Sequence, residues 1–373
     1  MKILFVTTVS NTVNLFLIPH IKQLVDQGHQ VDVAFNTVQE VKKDVIELGC
    51  KVHNIEFQRS PLRRQNISAY IKLKKIIMAE KYNIVHTHTP VSSACVRLAC
   101  RKLKDVKVIY TAHGFHFYKG APLLNWLFFY PIEKWLSRYT DALITINRED
   151  YQRAKNKFKS KVIKYIPGIG LDTSKYSERK IDKKLIREQL GVPYKSFVIL
   201  SVGELNYNKN HEVIIKAIAK MNNANIYYLI CGQGPQEEYL KNLAKEMNLE
   251  KNIKFLGFRQ DIPEICKVSN VFAFPSRREG LGLAALEAMA SGLPIVTSFL
   301  HGIKDYSVDG VTGYVSDVED VDGFKRALEQ ILYNKELSKK MGEHNSVFVE
   351  KYDLKNVKSL MNKIYSDILQ KNN

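Results

Sequence analysis

From Val271 to Thr297 the chain reads VFAFPSRREGLGLAALEAMASGLPIVT, and this stretch restricts the fold more than any other. Four apolar residues, Val271–Phe274, have the form of a buried strand, and Pro275-Ser276-Arg277-Arg278 breaks it. Gly280 and Gly282 permit a tight turn that brings backbone close to a ligand. Beyond Leu283 the pattern becomes helical, with Leu283, Leu286 and Ala290 on one face, until Gly292 stops the helix and Pro294 opens another strand. Strand, glycine turn, helix and strand make one βαβ unit of a parallel sheet. Such a turn aims free helix N–H groups above the carboxyl edge of the sheet, a natural seat for phosphate.

Two carboxylates bracket the turn. Glu279 precedes it, and Glu287 lies about two helical turns further on. On their own they read as solvated ends of a helix. A loop after the apolar strand FVILSVGE adds a third group, Lys209, within reach of a phosphate above that strand's end.

Strand-like and helix-like segments alternate along the whole chain of 373 residues, which predicts doubly wound α/β architecture. The first series runs from KILFVTT to KVIKYIP, with SNTVN as a loop after the opening strand. IPGIGLDTSKYS interrupts it as a linker, and a second series follows. The expected boundaries are a first Rossmann-like domain over 1–170, a second over 171–350, and a C-terminal helix within 351–373.

Charge is uneven. The net formal charge is +18; residues 1–170 hold +15 of it, and the remainder +3. A basic first domain suits anionic lipid or an acidic substrate; nucleic acid is not expected, because no recognition motif for it is present. Five scattered cysteines form no C-x-x-C pair and predict neither zinc nor a disulfide framework. The apolar start is broken by TTVSNTVN and reads as a strand rather than a signal peptide, and no run reaches the length of a membrane span, so a cytoplasmic protein is expected.

His113 ends the strand VIYTAH, where a side chain faces the ligand crevice of a parallel sheet. His86, His88 and His116 are nearby; His86 and His88 share a strand face without a carboxylate beside them, and no metal site is expected. GAPLLNWLFFYPI, residues 120–132, carries no charge and reads either as a buried helix or as an interfacial segment. Its Trp126, Phe128 and Phe129, with the basic stretch that contains Arg63 and Arg64, point to the membrane surface.

Taken together, EGLGLAALEAMASGLPIV, GELNYNK and IPGIGLD resemble the signature segments of retaining family 4 glycosyltransferases, enzymes of GT-B fold. HGFHFYKGAPLLNW and HGIKDYSVDGVTGY resemble the branch that builds capsular and exopolysaccharide repeat units on a polyprenyl diphosphate carrier. The resemblance implies two Rossmann-like domains facing across a cleft, with the last helix crossing back to the first. It implies a UDP-sugar donor, a lipid-linked glycan acceptor, and no metal or other cofactor. Glu279 and His113 would meet the transferred sugar and Glu287 the ribose. Gly203, Lys209 and the backbone of Gly280, Leu281, Gly282 and Leu283 would surround the diphosphate. Arg259, after the strand NIKFLGF, would stand at the base edge. Ser10, Asn11 and Thr12 replace a frequent Gly-Gly and are weaker candidates for phosphate or acceptor. Glu204 stands where the family has an arginine, so Arg259, Arg277 or Arg278 would have to supply the missing charge. A nucleotide-sugar 2-epimerase of related fold and a non-catalytic sugar-nucleotide sensor are the alternative readings. The basic, apolar first domain argues against the epimerase, and the intact Lys209, Glu279, Glu287 and His113 argue against the sensor.

Overall fold

The computed structural model describes residues 1–177 and 181–370. The chain forms two compact units, one of residues up to Ile169 together with the C-terminal segment from Lys355, the other from Gly170 to Leu354.

In the first unit β1 (Lys2–Val9), β2 (Gln30–Asn36), β3 (Val52–Asn54), β4 (Ile84–His88), β5 (Lys107–Ala112), β6 (Ala142–Thr145) and β7 (Val162–Tyr165) form one parallel sheet. Its order is β3-β2-β1-β4-β5-β6-β7. The central strands are continuous apolar runs because helices cover both faces: Ile3, Leu4, Phe5 and Val6 of β1 are all buried. The strand order reverses between β1 and β4, where Thr8 and Thr89 hydrogen-bond across the gap. The C-terminal helix Leu354–Gln370 packs in this unit, with Tyr365 Oη 2.6 Å from His86 Nδ1.

SNTVN was expected as a loop but is helical. An α-turn at Ser10–Thr12 and a π-helical stretch at Val13–Leu17 lead directly into the helix Ile18–Asp26. Side chains hold the start in place: Ser10 Oγ donates to Gln39 O, and Asn14 bonds Glu40 O and Lys42 N.

The second unit contains β8 (Phe197–Val202), β9 (Ile226–Cys231), β10 (Ile253–Gly257), β11 (Val271–Phe274), β12 (Ile295–Ser298) and β13 (Gly313–Ser316). They form a parallel sheet in the order β10-β9-β8-β11-β12-β13, which reverses between β8 and β11. Its core joins Ile199, Tyr228, Ile230 and Ala273 of the sheet to Ile214 and Ile218 of one helix and Phe324 and Leu328 of another. The helix Leu283–Ala290 and β12 follow the sequence reading closely, whereas β13 and the helix Lys183–Gln189 were not anticipated.

Candidate active site

In an open parallel sheet the ligand crevice lies beyond the strand ends where the order reverses. In the second unit that point lies between β8 and β11, and the loops following these two strands carry Lys209 and Glu279. Lys209 closes a short 3₁₀ turn, Tyr207–Lys209, capped by Asn206, whose side chain accepts from the Lys209 N–H. Its aliphatic stem crosses Gly203 so closely that a Cβ there would lie 3.1 Å from Lys209 Cε. Its ammonium sits over the Phe274 ring and 2.5 Å from Glu279 Oε1. The structure thus brings Lys209 and Glu279 together as an ion pair.

Gly282 caps the helix Leu283–Ala290 with a left-handed φ of 92°. A Cβ there would meet Phe274 Cε1 at 2.5 Å and Tyr306 Oη at 2.8 Å, so only glycine holds this turn without displacing the residues beneath it. Gly280 lies against Gly302, whose N–H donates to Glu279 O. Leu281 is buried and fastens the turn to the core. The helix therefore begins above the sheet with unpaired N–H groups and its positive dipole end at the switch point.

Glu287 is half-buried on the same helix and accepts a hydrogen bond from the Tyr176 phenol. Burial raises its carboxyl pKa, and the Tyr176 bond opposes the rise. Tyr176 was not singled out from the sequence. It lies in the connecting segment, where no local pattern links it to the helix.

Gly232 and Gly257 shape the neighbouring strand ends. The Gly232 N–H donates to Gly257 O, and a Cβ on Gly232 would overlap Gly203 O. Arg259, just beyond, is held by both carboxylate oxygens of Asp261. Arg277 is paired with Glu319 and stacks on Tyr207. Among the described residues Arg278 has no carboxylate partner, nor does the exposed Glu204 have a cation beside it. Of the three arginines considered for the missing charge, Arg278 is the one not already neutralised.

In the first unit His113 follows β5 and lies partly exposed. Its Nε2 is 2.9 Å from His88 Nδ1 at the end of β4. His86 is bound on both ring nitrogens, to Tyr365 and Thr111, and His20 Nε2 meets Ile169 O. Burial lowers all four imidazoles, His86 to about 3 and His113 to about 4. Among the described residues no group of three or more histidine, cysteine or acidic side chains is arranged to hold a metal.

Two family descriptions match the chain: "Glycosyl transferase 4-like" over residues 2–147 and "Glycosyl transferases group 1" over residues 182–346. Bacillus subtilis (strain 168) EpsD, named as a glycosyltransferase, is 38% identical over 92% of this chain and 90% of its own length. This chain belongs to the family 4 glycosyltransferases of GT-B fold. A second relative, from Escherichia coli, is 32% identical over 74% of this chain and 72% of its own. Its name is UDP-Gal:alpha-D-GlcNAc-diphosphoundecaprenol alpha-1,3-galactosyltransferase. The fold is shared with Anabaena Alr3699/HepE, whose structure in complex with UDP has TM-score 0.82 at 19% identity, covering 98% of this chain and all of that one.

Two sequence expectations for this glycosyltransferase need correction. Ser10 is buried, and its hydroxyl is committed to Gln39, so it is not a phosphate donor. Asn11 and Thr12 are partly exposed beside it, and Asn11 Oδ1 has no hydrogen-bond partner among the described residues. The second correction concerns residues 120–132, which enter the helix Leu123–Leu136. Trp126 and Phe129 were expected to face the membrane, but they and Tyr130 pack against the cluster of Phe115, Phe117 and Phe158. Arg97, buried, grips Glu133 of the same helix at 2.8 and 3.1 Å and fixes this inner face. The outer face carries Leu124, Leu127, Phe128, Ile132 and Trp135, all exposed. Phe128 thus remains on the surface, as do Arg63 and Arg64. Among the described residues no helix is long and apolar enough to cross a membrane.

Proposed function

We propose that this glycosyltransferase moves a hexosyl or N-acetylhexosaminyl group, with retention, from a UDP-sugar to a lipid-linked glycan. The observation that carries the reading is the meeting of Lys209 and Glu279 at the β8/β11 switch point, beside the glycine-capped helix that bears Glu287. A diphosphate seated there would meet the Lys209 ammonium and the free N–H groups near Leu283. Glu287 then falls at the ribose and Glu279 at the sugar. Negative charge develops on the leaving diphosphate, so fixed dipoles and one cation at that point lower the barrier. In the step itself the bond from the sugar's anomeric carbon to the diphosphate oxygen breaks. A bond to the acceptor hydroxyl oxygen forms on the same face, and the hydroxyl proton passes to a leaving phosphate oxygen. His113 orients a sugar hydroxyl. No divalent metal takes part.

The polyprenyl diphosphate acceptor is supported by the Escherichia coli relative, whose own name specifies a diphosphoundecaprenol substrate. A place in capsule or exopolysaccharide assembly rests on the resemblance of HGFHFYKGAPLLNW and HGIKDYSVDGVTGY to that branch. Peripheral attachment to the cytoplasmic face of the membrane is supported by the exposed apolar face of Leu123–Leu136 and the basic charge of residues 1–170. The test is to incubate the protein with a set of UDP-sugars, with and without polyprenyl-diphosphate-linked acceptors and EDTA, and to measure UDP release and glycolipid product. Acceptor-dependent UDP release that survives EDTA is expected. Epimerised nucleotide sugar, or no turnover of any UDP-sugar, would overturn the reading.

A further inference from the structure

His88 and His113 form a pair whose proton can be located. The rings stack with centroids 5.2 Å apart, and their facing nitrogens, His88 Nδ1 and His113 Nε2, are 2.9 Å apart. A hydrogen bond at that distance requires a proton on one nitrogen and a lone pair on the other. Both rings are neutral near pH 7, since burial holds His88 well below the ordinary histidine value and lowers His113 to about 4.

The far side of His88 decides which ring donates. His88 Nε2 is buried and has no hydrogen-bond partner among the described residues. If His113 donated, His88 would carry its own proton on Nε2 and bury an N–H with nothing to accept it. If His88 donates from Nδ1, Nε2 is left as a lone pair. Orphaned buried N–H groups are the rarer of the two defects. The small cavity beside His88, about 20 Å³, is walled by apolar side chains, among them Phe5, Leu17 and Met361, and by His20, His86, Thr111 and Tyr365. His86 makes one hydrogen bond with Thr111 and one with Tyr365, and no protein acceptor among the described residues reaches His88 Nε2. Phe5 stacks on His88 from one side, and the His86 ring lies 4.3 Å away, so the ring has little freedom to turn.

We infer that His88 is a positioning residue: it donates from Nδ1 to His113 Nε2 and holds His113 in the tautomer that carries its proton on Nδ1. His113 Nδ1 has no partner among the described residues, so the ring offers a donor, not an acceptor, to whatever oxygen approaches it. Resting on the proposed function, this makes His113 a hydrogen-bond donor to the transferred sugar. A sugar oxygen that can only accept is then recognised as well as a hydroxyl.

The experiment is a long-range ¹H–¹⁵N correlation on the full chain with ¹⁵N-labelled histidine, assigned by single substitutions, together with kinetics of His88→Asn and His88→Leu. Asparagine can present an N–H where Nδ1 stood; leucine cannot. The expected spectrum shows His113 protonated at Nδ1 and bare at Nε2. His88→Leu should lose this tautomer and reduce kcat by about tenfold or more, the scale seen when the partner that fixes a metal-bound histidine's tautomer is removed. His88→Asn should keep the tautomer and most of the turnover. A wild-type spectrum with His113 protonated at Nε2 overturns the inference without any variant. So does a His88→Leu protein that retains both tautomer and turnover. If the tautomer is as expected but His113→Ala transfers sugar at the wild-type rate, the pair stands and the proposed role of His113 in transfer fails.

Discussion

Lys209 Nζ lies 2.5 Å from Glu279 Oε1, so the cation proposed for the diphosphate is held by the carboxylate proposed for the sugar. Both side chains are mostly buried, and each neutralises the other in the absence of donor. A bound diphosphate would compete with Glu279 for the same ammonium. The pair would then position Lys209 before the donor arrives and release Glu279 toward the sugar once it has.

Glu279→Gln removes that competition while keeping the shape. UDP affinity should stay within about threefold of wild type, under 1 kcal/mol, while kcat falls, as for loss of an interaction made in the transition state. Lys209→Met should instead weaken UDP by about 1.5–3 kcal/mol, the usual cost of a hydrogen bond to a charged group. Calorimetry with UDP and steady-state rates on both variants check this. A Gln variant that binds UDP as poorly as the Met variant would reassign Glu279 to the nucleotide.

Among the described residues the Glu287 carboxylate has one side-chain partner to give up or share, the Tyr176 phenol. Glu287→Ala should cost about 1.5–3 kcal/mol of UDP binding. Tyr176→Phe should cost less than Glu287→Ala, because it leaves the carboxylate in place and removes only its orienting donor. Calorimetric titration of UDP into both variants is the measurement. Unchanged UDP affinity in Glu287→Ala would remove the ribose assignment.

The buried imidazoles fix the direction of a pH effect. Their folded pKa values lie below the ordinary 6.5, to about 3 for His86 and about 4 for His113. The unfolded chain therefore binds protons that the folded chain refuses. Stability from these rings is complete above pH 6.5 and is lost as pH falls from there toward 4. For the fully buried His86 the slope approaches about 1 kcal/mol per pH unit at the acid end of that window. Denaturant midpoints at pH 7.5, 6, 5 and 4.5 should fall progressively, and less steeply in His86→Gln than in wild type. A wild-type midpoint that is flat from pH 7.5 to 5 would contradict this.

The βαβ unit was legible because everything that shapes it is local. Two glycines, a proline stop and a helical apolar period lie within one short stretch, and the observed β11, helix Leu283–Ala290 and β12 follow them. The helix at Ser10 was not legible, since the bonds that stabilise it come from Gln39, Glu40 and Lys42. β13 was not legible because it starts at the last glycine of SVDGVTG, a glycine-rich and mostly polar segment that reads as a loop. The same limit explains Trp126 and Phe129. In an uncharged apolar run every face looks buried, and contacts made far along the chain, such as the Glu133–Arg97 pair across 36 residues, fix which face turns inward. The sequence singles out Lys209 and Glu279 each as a candidate, but their contact spans 70 residues and depends on the strand order.

That orientation changes which residues test the membrane reading. The outer face of Leu123–Leu136 presents Leu127 and Phe128 to solvent, whereas Trp126 and Phe129 support the core. Arg63 and Arg64 are exposed at the start of the helix Gln65–Glu80, in a unit whose first 170 residues carry +15. Basic residues near an anionic surface add about 1 kcal/mol each and are screened by salt. Apolar side chains entering the interface leave a salt-resistant part. Liposome flotation at low and high salt should therefore separate two variants. Arg63→Glu/Arg64→Glu should lose the salt-sensitive fraction, and Leu127→Ser/Phe128→Ser the resistant one, with its melting temperature near that of wild type. Trp126→Ser/Phe129→Ser should instead lower the melting temperature, because these half-buried rings pack against Phe115, Phe117 and Phe158 and the loss of each removes up to about 3 kcal/mol of burial. If wild type remains in solution with anionic liposomes even at low salt, membrane attachment fails, and the basic first unit must be serving an acidic acceptor.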